Sequence, residues 1–125
     1  MDINILQTED MSKIRVAFPH PWVEDIEKEM RQGCMVFIIE NTAGCLVKKF
    51  DGMNTLFYLW THESFRGQGY ARGIAEFVGK KNLPLPTFAR YRSDEKNVEK
   101  LFKNAGYEVV HNGDDNFVVV AYRKL

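Results

Sequence analysis

The sequence predicts one α/β (α+β) domain built on a mostly antiparallel mixed sheet of about seven strands with four helices. Three observations support this. The chain of 125 residues is long enough for one domain with its own core. β-Rich runs bounded by turn residues alternate with segments of helical periodicity. Their order is β-α-α-β-β-β-α-β-α-β-β, and no linker or internal repeat divides residues 1–125.

The first third of the chain is predicted to hold one strand and two helices. The strand spans Asp2 to Gln7, and Thr8-Glu9-Asp10 offers an N-cap, with acids suited to the first turn, for a helix over about Met11 to Phe18. A Pro-His-Pro segment breaks this helix. Apolar residues at helical spacing then predict a second helix over Trp22 to Gln32, which Gly33 ends.

Three consecutive strands follow as a meander. The β-rich runs are Cys34 to Glu40, Cys45 to Phe50 and Thr55 to Thr61. The turns that join them are predicted at Asn41 to Gly44 and at Asp51-Gly52.

After a third helix, the last part of the chain is predicted as a strand, a helix and a hairpin. Thr87 to Tyr91 is the strand, and Ser93-Asp94 can cap a helix that runs through Asn104 and stops at Gly106. The hairpin consists of Tyr107 to His111 and Phe117 to Tyr122, joined by the loop Asn112 to Asn116.

Composition argues against several partner classes. Lysine plus arginine and aspartate plus glutamate both number 17, so no net field attracts nucleic acid or an anionic membrane. Residues 1–10 lack the pattern of a signal peptide, and no apolar run is long enough for a membrane span. A soluble, cytoplasmic protein, monomeric or homodimeric, is expected.

The cysteines and histidines give no sign of a metal site or a disulfide. Cys34 and Cys45 fall at opposite ends of the predicted hairpin, so they are expected to be reduced. His20, His62 and His111 are scattered without partners at ligand spacing, so no metal is expected.

The segment Phe65 to Ala71, with the sequence FRGQGYA, is the most informative feature of the chain. It lies between the apolar run Leu56 to Trp60 and the helix-like Arg72 to Val78. Glycines in a tight turn expose backbone N–H groups, and the helix that follows adds the positive end of its dipole. The segment therefore predicts a site for phosphate or pyrophosphate.

A nicotinamide dinucleotide is an alternative ligand for this turn. Gly67, Gly69 and Gly73 can be taken as a dinucleotide fingerprint, with Arg90 or Arg92 meeting a 2′-phosphate. The position of the turn argues against this, because dinucleotide domains place it after their first strand and here most of the sheet precedes it.

The order of elements and two local motifs resemble the GCN5-related N-acetyltransferase (GNAT) superfamily over nearly the whole chain. Arg66, Gly69 and Ala71 match the acyl-CoA signature of that family, with Phe65 as the bulky residue before it. Val98 to Tyr107 is similar to the family segment in which a helix ends in glycine followed by an aromatic residue. The resemblance implies an N-acetyltransferase that uses acetyl-CoA as co-substrate, needs no metal, and transfers directly to a small-molecule or protein amine in a ternary complex.

The resemblance also implies where coenzyme A is held. Backbone amides over Gln68 to Ala71 bind the pyrophosphate, and the edge of the strand at Leu59 to Thr61 pairs with pantetheine where this strand splays from Thr87 to Tyr91. An unpaired N–H on that edge would polarise the thioester carbonyl. The implied residues are Leu59, Trp60, Thr61, Arg66, Gly67, Gln68, Gly69, Tyr70, Ala71 and Arg72.

Acyl transfer needs a base, because a lysine-like amine has a pKa of about 10.4. Glu63 is the first candidate, since it follows the splayed strand where many family members have proline. His62 is the second, and Glu40 on the preceding hairpin is the third. Glu63 and His62 can equally be surface residues, and Glu40 is the weaker option.

The sequence departs from the family at the position of the general acid. Phe102 stands where the family usually has tyrosine, and Glu95 stands where asparagine is common, with Asn97 two residues later. Either the thiolate leaves unaided, or Tyr91 or Tyr107 donates the proton, or the protein is a non-catalytic CoA-binding module.

Further candidates concern the 3′-phosphate of CoA and the acceptor. Tyr58 and Trp60, with Phe57 and Leu59 facing the opposite way, can line an acceptor pocket or pack one face of the sheet. Trp22 can border the same pocket or anchor the core. The cations that can reach the 3′-phosphate are Arg72, Lys80, Lys100 and Lys103.

Overall fold

The computed structural model describes residues 4–113 and 115–123, and it confirms the fold class and the order of elements. The predicted strand start at Asp2 and the loop residue Asp114 lie outside the described residues. The elements are β1 (Leu6–Gln7), α1 (Met11–Ala17), α2 (His20–Arg31), β2 (Met35–Ile39), β3 (Ala43–Phe50), β4 (Met53–Thr61), a 3₁₀ turn (Glu63–Phe65), α3 (Tyr70–Asn82), β5 (Thr87–Arg92), α4 (Lys96–Asn104), β6 (Glu108–Asn112) and β7 (Phe117–Tyr122).

The strands form one sheet in the order β1-β2-β3-β4-β5-β7-β6. Neighbouring strands are antiparallel except β4 and β5, which are parallel because α3 crosses between them. That parallel pair has only two residue partners, Asn54 with Thr87 and Thr55 with Phe88. Beyond them β4 continues along β3 to Thr61, while β5 continues along β7, so the two strands separate.

Each face of the sheet carries one pair of helices. β2 is apolar along its length because both of its faces are covered: Val36 and Ile38 face α1 and α2, whereas Phe37 and Ile39 face the cluster that contains α3 and α4. The buried residues under α1 and α2 are Ile14, Ala17, Phe18, Ile26, Val36, Ile38 and Leu46.

β4 contains a bulge that no sequence pattern indicated. β3 pairs Gly44 with Trp60 and Leu46 with Phe57, so two residues of β4 oppose one residue of β3. Tyr58 in this bulge has φ 52°, in the left-handed region. The expectation that Phe57 faces away from Trp60 is wrong, because the bulge shifts the alternation and Phe57 shares the face of its partner Leu46.

The start of α2 also differs from the prediction. The helix begins at His20 rather than Trp22, with Pro19 as its N-cap and Pro21 in its first turn. Proline is accepted there because the first N–H groups of a helix have no intrahelical partner.

The predicted cap of α4 is wrong. Glu95 is the N-cap residue, and its side chain makes no capping bond. The N–H of Ser93 donates to the carbonyl of Asn116, and the Asp94 carboxylate pairs with Arg92 at 3.2 Å. At α1, Asp10 is itself the N-cap rather than a first-turn acid that follows a cap at Thr8. Its carboxylate accepts from Ser12 N–H at 2.9 Å, and the first turn contains no acid.

The turn at Asp51-Gly52 is confirmed. Both residues have positive φ, 51° and 79°, which is the two-residue hairpin geometry that matches the twist of the flanking strands. Cys34 and Cys45 are free thiols.

Contact between α3 and β7 predicts that Gly79→Ala destabilises the fold. An added Cβ would lie 2.5 Å from Cγ of Tyr122, the root of a ring that cannot swing away. We expect a net loss of about 1–2 kcal/mol in the free energy of unfolding, since overpacking exceeds the gain of about 1 kcal/mol in helix propensity.

Urea denaturation measures this loss, and Tyr122→Ala in a double-mutant cycle is the control. The two changes should couple, because removing the ring removes the clash. A Gly79→Ala protein as stable as the wild type would contradict the packing described.

Candidate active-site cleft

The separation of β4 from β5 opens a cleft with a volume of about 1740 Å³. Its walls are β4 from Thr55 to Thr61, β5 from Phe88 to Tyr91, the segment Phe65 to Arg72, and parts of α2 and α4. A single small-molecule pocket usually measures about 300–1,000 Å³. The cleft therefore has room for two ligands side by side.

The glycine turn forms one end of this cleft. Gly67 and Gly69 have φ of 80° and 86°, and α3 begins at the next residue, Tyr70. The N–H of Gly73 is the first to bond within the helix, to the carbonyl of Gly69, and the three N–H groups before it have no backbone acceptor in the described part of the chain. An added Cβ at Gly67 would meet nothing within 4 Å, so the turn is open to a ligand. This geometry suits an anion.

Two arginines flank the turn. Arg66 donates from Nε to the carbonyl of Thr61 at 3.0 Å, and its guanidinium lies 4.5 Å from the ring centroid of Trp60. The guanidinium of Arg72 folds back toward Gly69, 3.3 Å from where a Cβ would stand. Positive charge is thus held at the end of the cleft where the backbone amides point.

The other cations predicted to meet a phosphate differ in their position relative to the cleft. Lys100 lines the cleft, whereas Lys80 and Lys103 do not. Lys80 pairs with Glu76 at 2.7 Å, and that carboxylate raises the pKa of the lysine. Arg90 stacks on Phe117, 3.9 Å from the ring centroid.

The base candidates lie beside the cleft rather than in its wall. Glu63 is exposed in the 3₁₀ turn, between the lining residues Thr61 and Phe65. The ring of His62 bonds through Nε2 to the carbonyl of Val16, which ties the end of β4 to α1. Glu40 is paired with Lys13 at 3.0 Å and is not part of the lining.

An aromatic stack occupies the position of the expected general acid. Phe102 lines the cleft at 3% exposure and stacks on Tyr91, with ring centroids 6.1 Å apart and planes at 10°. The hydroxyl of Tyr107 donates to the carbonyl of Ala75 at 2.7 Å, so it is committed to the core. Tyr91 lines the cleft, and its hydroxyl has no hydrogen-bond partner among residues 4–113 and 115–123. Burial, with a smaller effect of Glu99, raises the pKa of Tyr91, so the phenol is protonated at neutral pH.

Three aromatic side chains that line the cleft are here called the aromatic wall. They are Trp22 of α2 and Tyr58 and Trp60 of β4. The ring of Trp22 lies 5.3 Å from that of Tyr58 and 5.4 Å from that of Trp60. The sequence placed all three at one acceptor pocket, with core packing as the alternative, whereas the bulge at Tyr58 has no sequence signal. Glu95 and Asn97 at the start of α4 also line the cleft.

In the described part of the chain, no three histidine, cysteine or acidic side chains gather as a metal-binding group. Among the helices of residues 4–113 and 115–123, none is long and apolar enough to cross a membrane.

Known proteins resemble this chain in sequence and in structure. No protein-family model matches it. An acetyltransferase of Yersinia enterocolitica is 27% identical over 94 residues, which are 65% of this chain and 67% of that protein. A Bacillus subtilis acetyltransferase solved in complex with CoA has a TM-score of 0.75 at 12% identity, covering 99% of this chain and 100% of that one. A GNAT family acetyltransferase from Elizabethkingia anophelis with acetyl-CoA bound has a TM-score of 0.71 at 10% identity, covering 97% of both chains. At such identities the structural likeness establishes the fold.

The geometry of the glycine turn predicts that Gly69→Val weakens coenzyme A binding. Valine is strongly disfavoured at φ 86°, so the turn must shift and its amides lose their common direction. We expect the Kd for CoA, measured by isothermal titration calorimetry, to rise at least about tenfold while the fold survives.

Gly33→Val is the matched control. Gly33 has a similar φ of 95°, nothing lies within 4 Å of an added Cβ, and its turn between α2 and β2 does not line the cleft. This variant should lose similar stability and retain wild-type CoA affinity. Unchanged affinity in Gly69→Val would contradict the assignment of the turn.

Proposed function

We propose that this chain is a member of the GCN5-related N-acetyltransferase superfamily and that it transfers an acetyl group from acetyl-CoA to a primary amine. One observation carries the proposal: an open glycine turn at a helix N-terminus faces a cleft whose wall is the unpaired edge of β4. The sequence relatives named acetyltransferases support the same activity.

The chain offers groups that fit each part of coenzyme A. The amides over Gln68 to Ala71 suit the pyrophosphate, with Arg66 and Arg72 adding positive charge. The β4 edge at Leu59 to Thr61 can pair with the amides of pantetheine, since β5 has turned away from it. Lys100, across the cleft, can reach the 3′-phosphate.

The reaction forms a C–N bond between the amine and the thioester carbonyl carbon and breaks the C–S bond. The amine loses a proton, and the sulfur gains one. An unpaired N–H of β4 near Leu59 to Thr61 stabilises the charge on the carbonyl oxygen. Glu63 takes the proton of the amine through water, because its carboxylate is exposed beside the cleft and not in its wall.

Tyr91 is the proposed proton donor to the sulfur. It stacks on Phe102, the residue that stands in the usual place of the acid, and its own hydroxyl is uncommitted among the described side chains. Because a thiol has a pKa of about 8.5, the thiolate can leave with little help from a proton donor. Loss of the Tyr91 phenol is therefore expected to lower the reaction rate less than loss of the base does.

Phe102 favours a second candidate function, a regulatory module that binds acyl-CoA without turnover. Its apolar ring and the committed hydroxyl of Tyr107 leave fewer proton donors than an acetyltransferase usually has. Tight CoA binding without release of free CoA in the presence of a broad amine panel would support this candidate over catalysis.

Parallel calorimetric titrations with acetyl-CoA, CoA and NADP test the proposed function. We expect acetyl-CoA to bind with a Kd on the order of micromolar and NADP neither to bind nor to compete. Failure of acetyl-CoA to bind would overturn the proposal, and binding of NADP instead would restore the dinucleotide interpretation.

Glu63→Gln is expected to lower kcat by about 10², because the amide cannot accept the proton of the amine. Affinity for CoA should not change, since Glu63 is outside the cleft lining. Thiol release from acetyl-CoA measures the rate, and Asp51→Asn, at an exposed turn remote from the cleft, is the control. A wild-type rate in Glu63→Gln would remove Glu63 from the mechanism.

A further inference from the structure

We propose that the acceptor is a primary amine joined through a short aliphatic linker to an aromatic ring, and that this ring packs on the aromatic wall. The inference rests on the proposed acetyl transfer and specifies its second substrate. It follows from the geometry of the wall, from its rigid support and from the charges around it.

The rings of the wall are arranged to receive another ring. The planes of Trp22 and Tyr58 are inclined by 57°, and those of Trp22 and Trp60 by 72°. All three side chains are half-buried, and all three line the cleft. Aromatic rings prefer tilted, edge-to-face or offset contacts with one another, so a cleft lined by these rings suits a further aromatic ring.

The wall is held in place before any ligand binds. Trp60 lies between the Arg66 guanidinium and the ring of His62, whose centroid is 6.5 Å from that of Trp60. Gly44, the cross-strand partner of Trp60, leaves room for the buried ring of Phe18, which would be 2.5 Å from an added Cβ. A preorganised surface loses little conformational entropy on binding, so its contact area contributes to affinity.

Trp60 also has an unpaired hydrogen-bond donor. Its indole N–H is buried and has no acceptor among the described residues. Buried donors in proteins are nearly always paired. This unpaired donor belongs to a side chain that lines the cleft.

The charges at the cleft disfavour a polycationic acceptor. Glu95 at the start of α4 is the only acidic residue in the described lining, and the exposed Glu63 lies beside the cleft. Arg66 sits directly on Trp60. A nearby guanidinium repels a polyamine or a lysine-rich peptide, and it favours the neutral, nucleophilic form of a single amine. Recognition therefore has to come from the apolar body of the acceptor.

The chain contains two tryptophans, and both belong to the wall, so intrinsic fluorescence reports on it directly. CoA-loaded protein is titrated with 2-phenylethylamine, with propylamine and with spermidine. We expect a saturable fluorescence change with 2-phenylethylamine alone. With acetyl-CoA, kcat/KM for 2-phenylethylamine should exceed that for propylamine by at least about tenfold.

Variants at the wall sharpen this test. Trp22→Leu should raise the Kd for 2-phenylethylamine about tenfold and leave acetyl-CoA affinity unchanged, whereas Trp22→Phe should retain most of the affinity. Phe50→Leu is the matched control, because Phe50 is 71% exposed and lies outside the cleft. Trp60 remains as the fluorescent reporter in both Trp22 variants.

The outcomes distinguish the two proposals. If acetyl-CoA binds but 2-phenylethylamine gives no fluorescence change, or propylamine and spermidine are acetylated equally well, the acceptor assignment is overturned and the acetyltransferase function stands. If acetyl-CoA fails to bind, the proposed function is overturned. A saturable response to 2-phenylethylamine without acetylation supports the wall as the amine site within a protein of the second candidate function.

Discussion

Parallel pairing between β4 and β5 stops after two residue pairs, and the position of every other part of the site depends on that separation. A fully paired sheet would consume the backbone groups of β4 from Leu56 onward and close the cleft. Unpaired backbone groups are costly to bury, so the free edge must face water or a ligand. The crossover helix α3 starts at the carboxyl end of β4, and this places the glycine turn directly beside the free edge, where open α/β sheets bind ligands.

The lining of the cleft has two chemically different parts. In one part the amides before Gly73 and the guanidinium of Arg72 favour an anion. The other part is the aromatic wall, which offers apolar surface. Arg66 contributes to both parts: it flanks the glycine turn, and its guanidinium lies over the ring of Trp60 while its Nε–H donates to the carbonyl of Thr61. A charged co-substrate and an apolar acceptor can therefore meet on the same strand without competing for the same contacts.

Sequence patterns predicted the order of elements because the residues that end helices and form turns act locally. Gly33, Asp51-Gly52 and Gly106 all adopt the positive φ that their residue types allow. The family signature at Arg66, Gly69 and Ala71 likewise identified the turn that lines the cleft. What could not be predicted depends on tertiary contacts. Tyrosine has no preference for the left-handed region, so nothing at Tyr58 signals a bulge. The hydrogen bond between His62 and Val16 joins residues 46 positions apart in the sequence. Ser93 and Asp94 are residue types that often cap helices, but here Ser93 N–H bonds to Asn116 and the Asp94 carboxylate pairs with Arg92.

The two residue pairs between β4 and β5, here called the seam, affect the order in which the chain folds. On one side β2, β3 and β4 pair with their chain neighbours, and on the other β5, β6 and β7 form a second group. Contacts within the β2 to β4 group close short loops, whereas the seam closes a long one through α3, and longer loops cost more entropy. During synthesis the first group can pair before β5 has left the ribosome, so the seam, and with it the cleft, forms after that group. A ligand that spans the seam would then act on folding as well as on chemistry, because it binds only the docked state and shifts the population toward it.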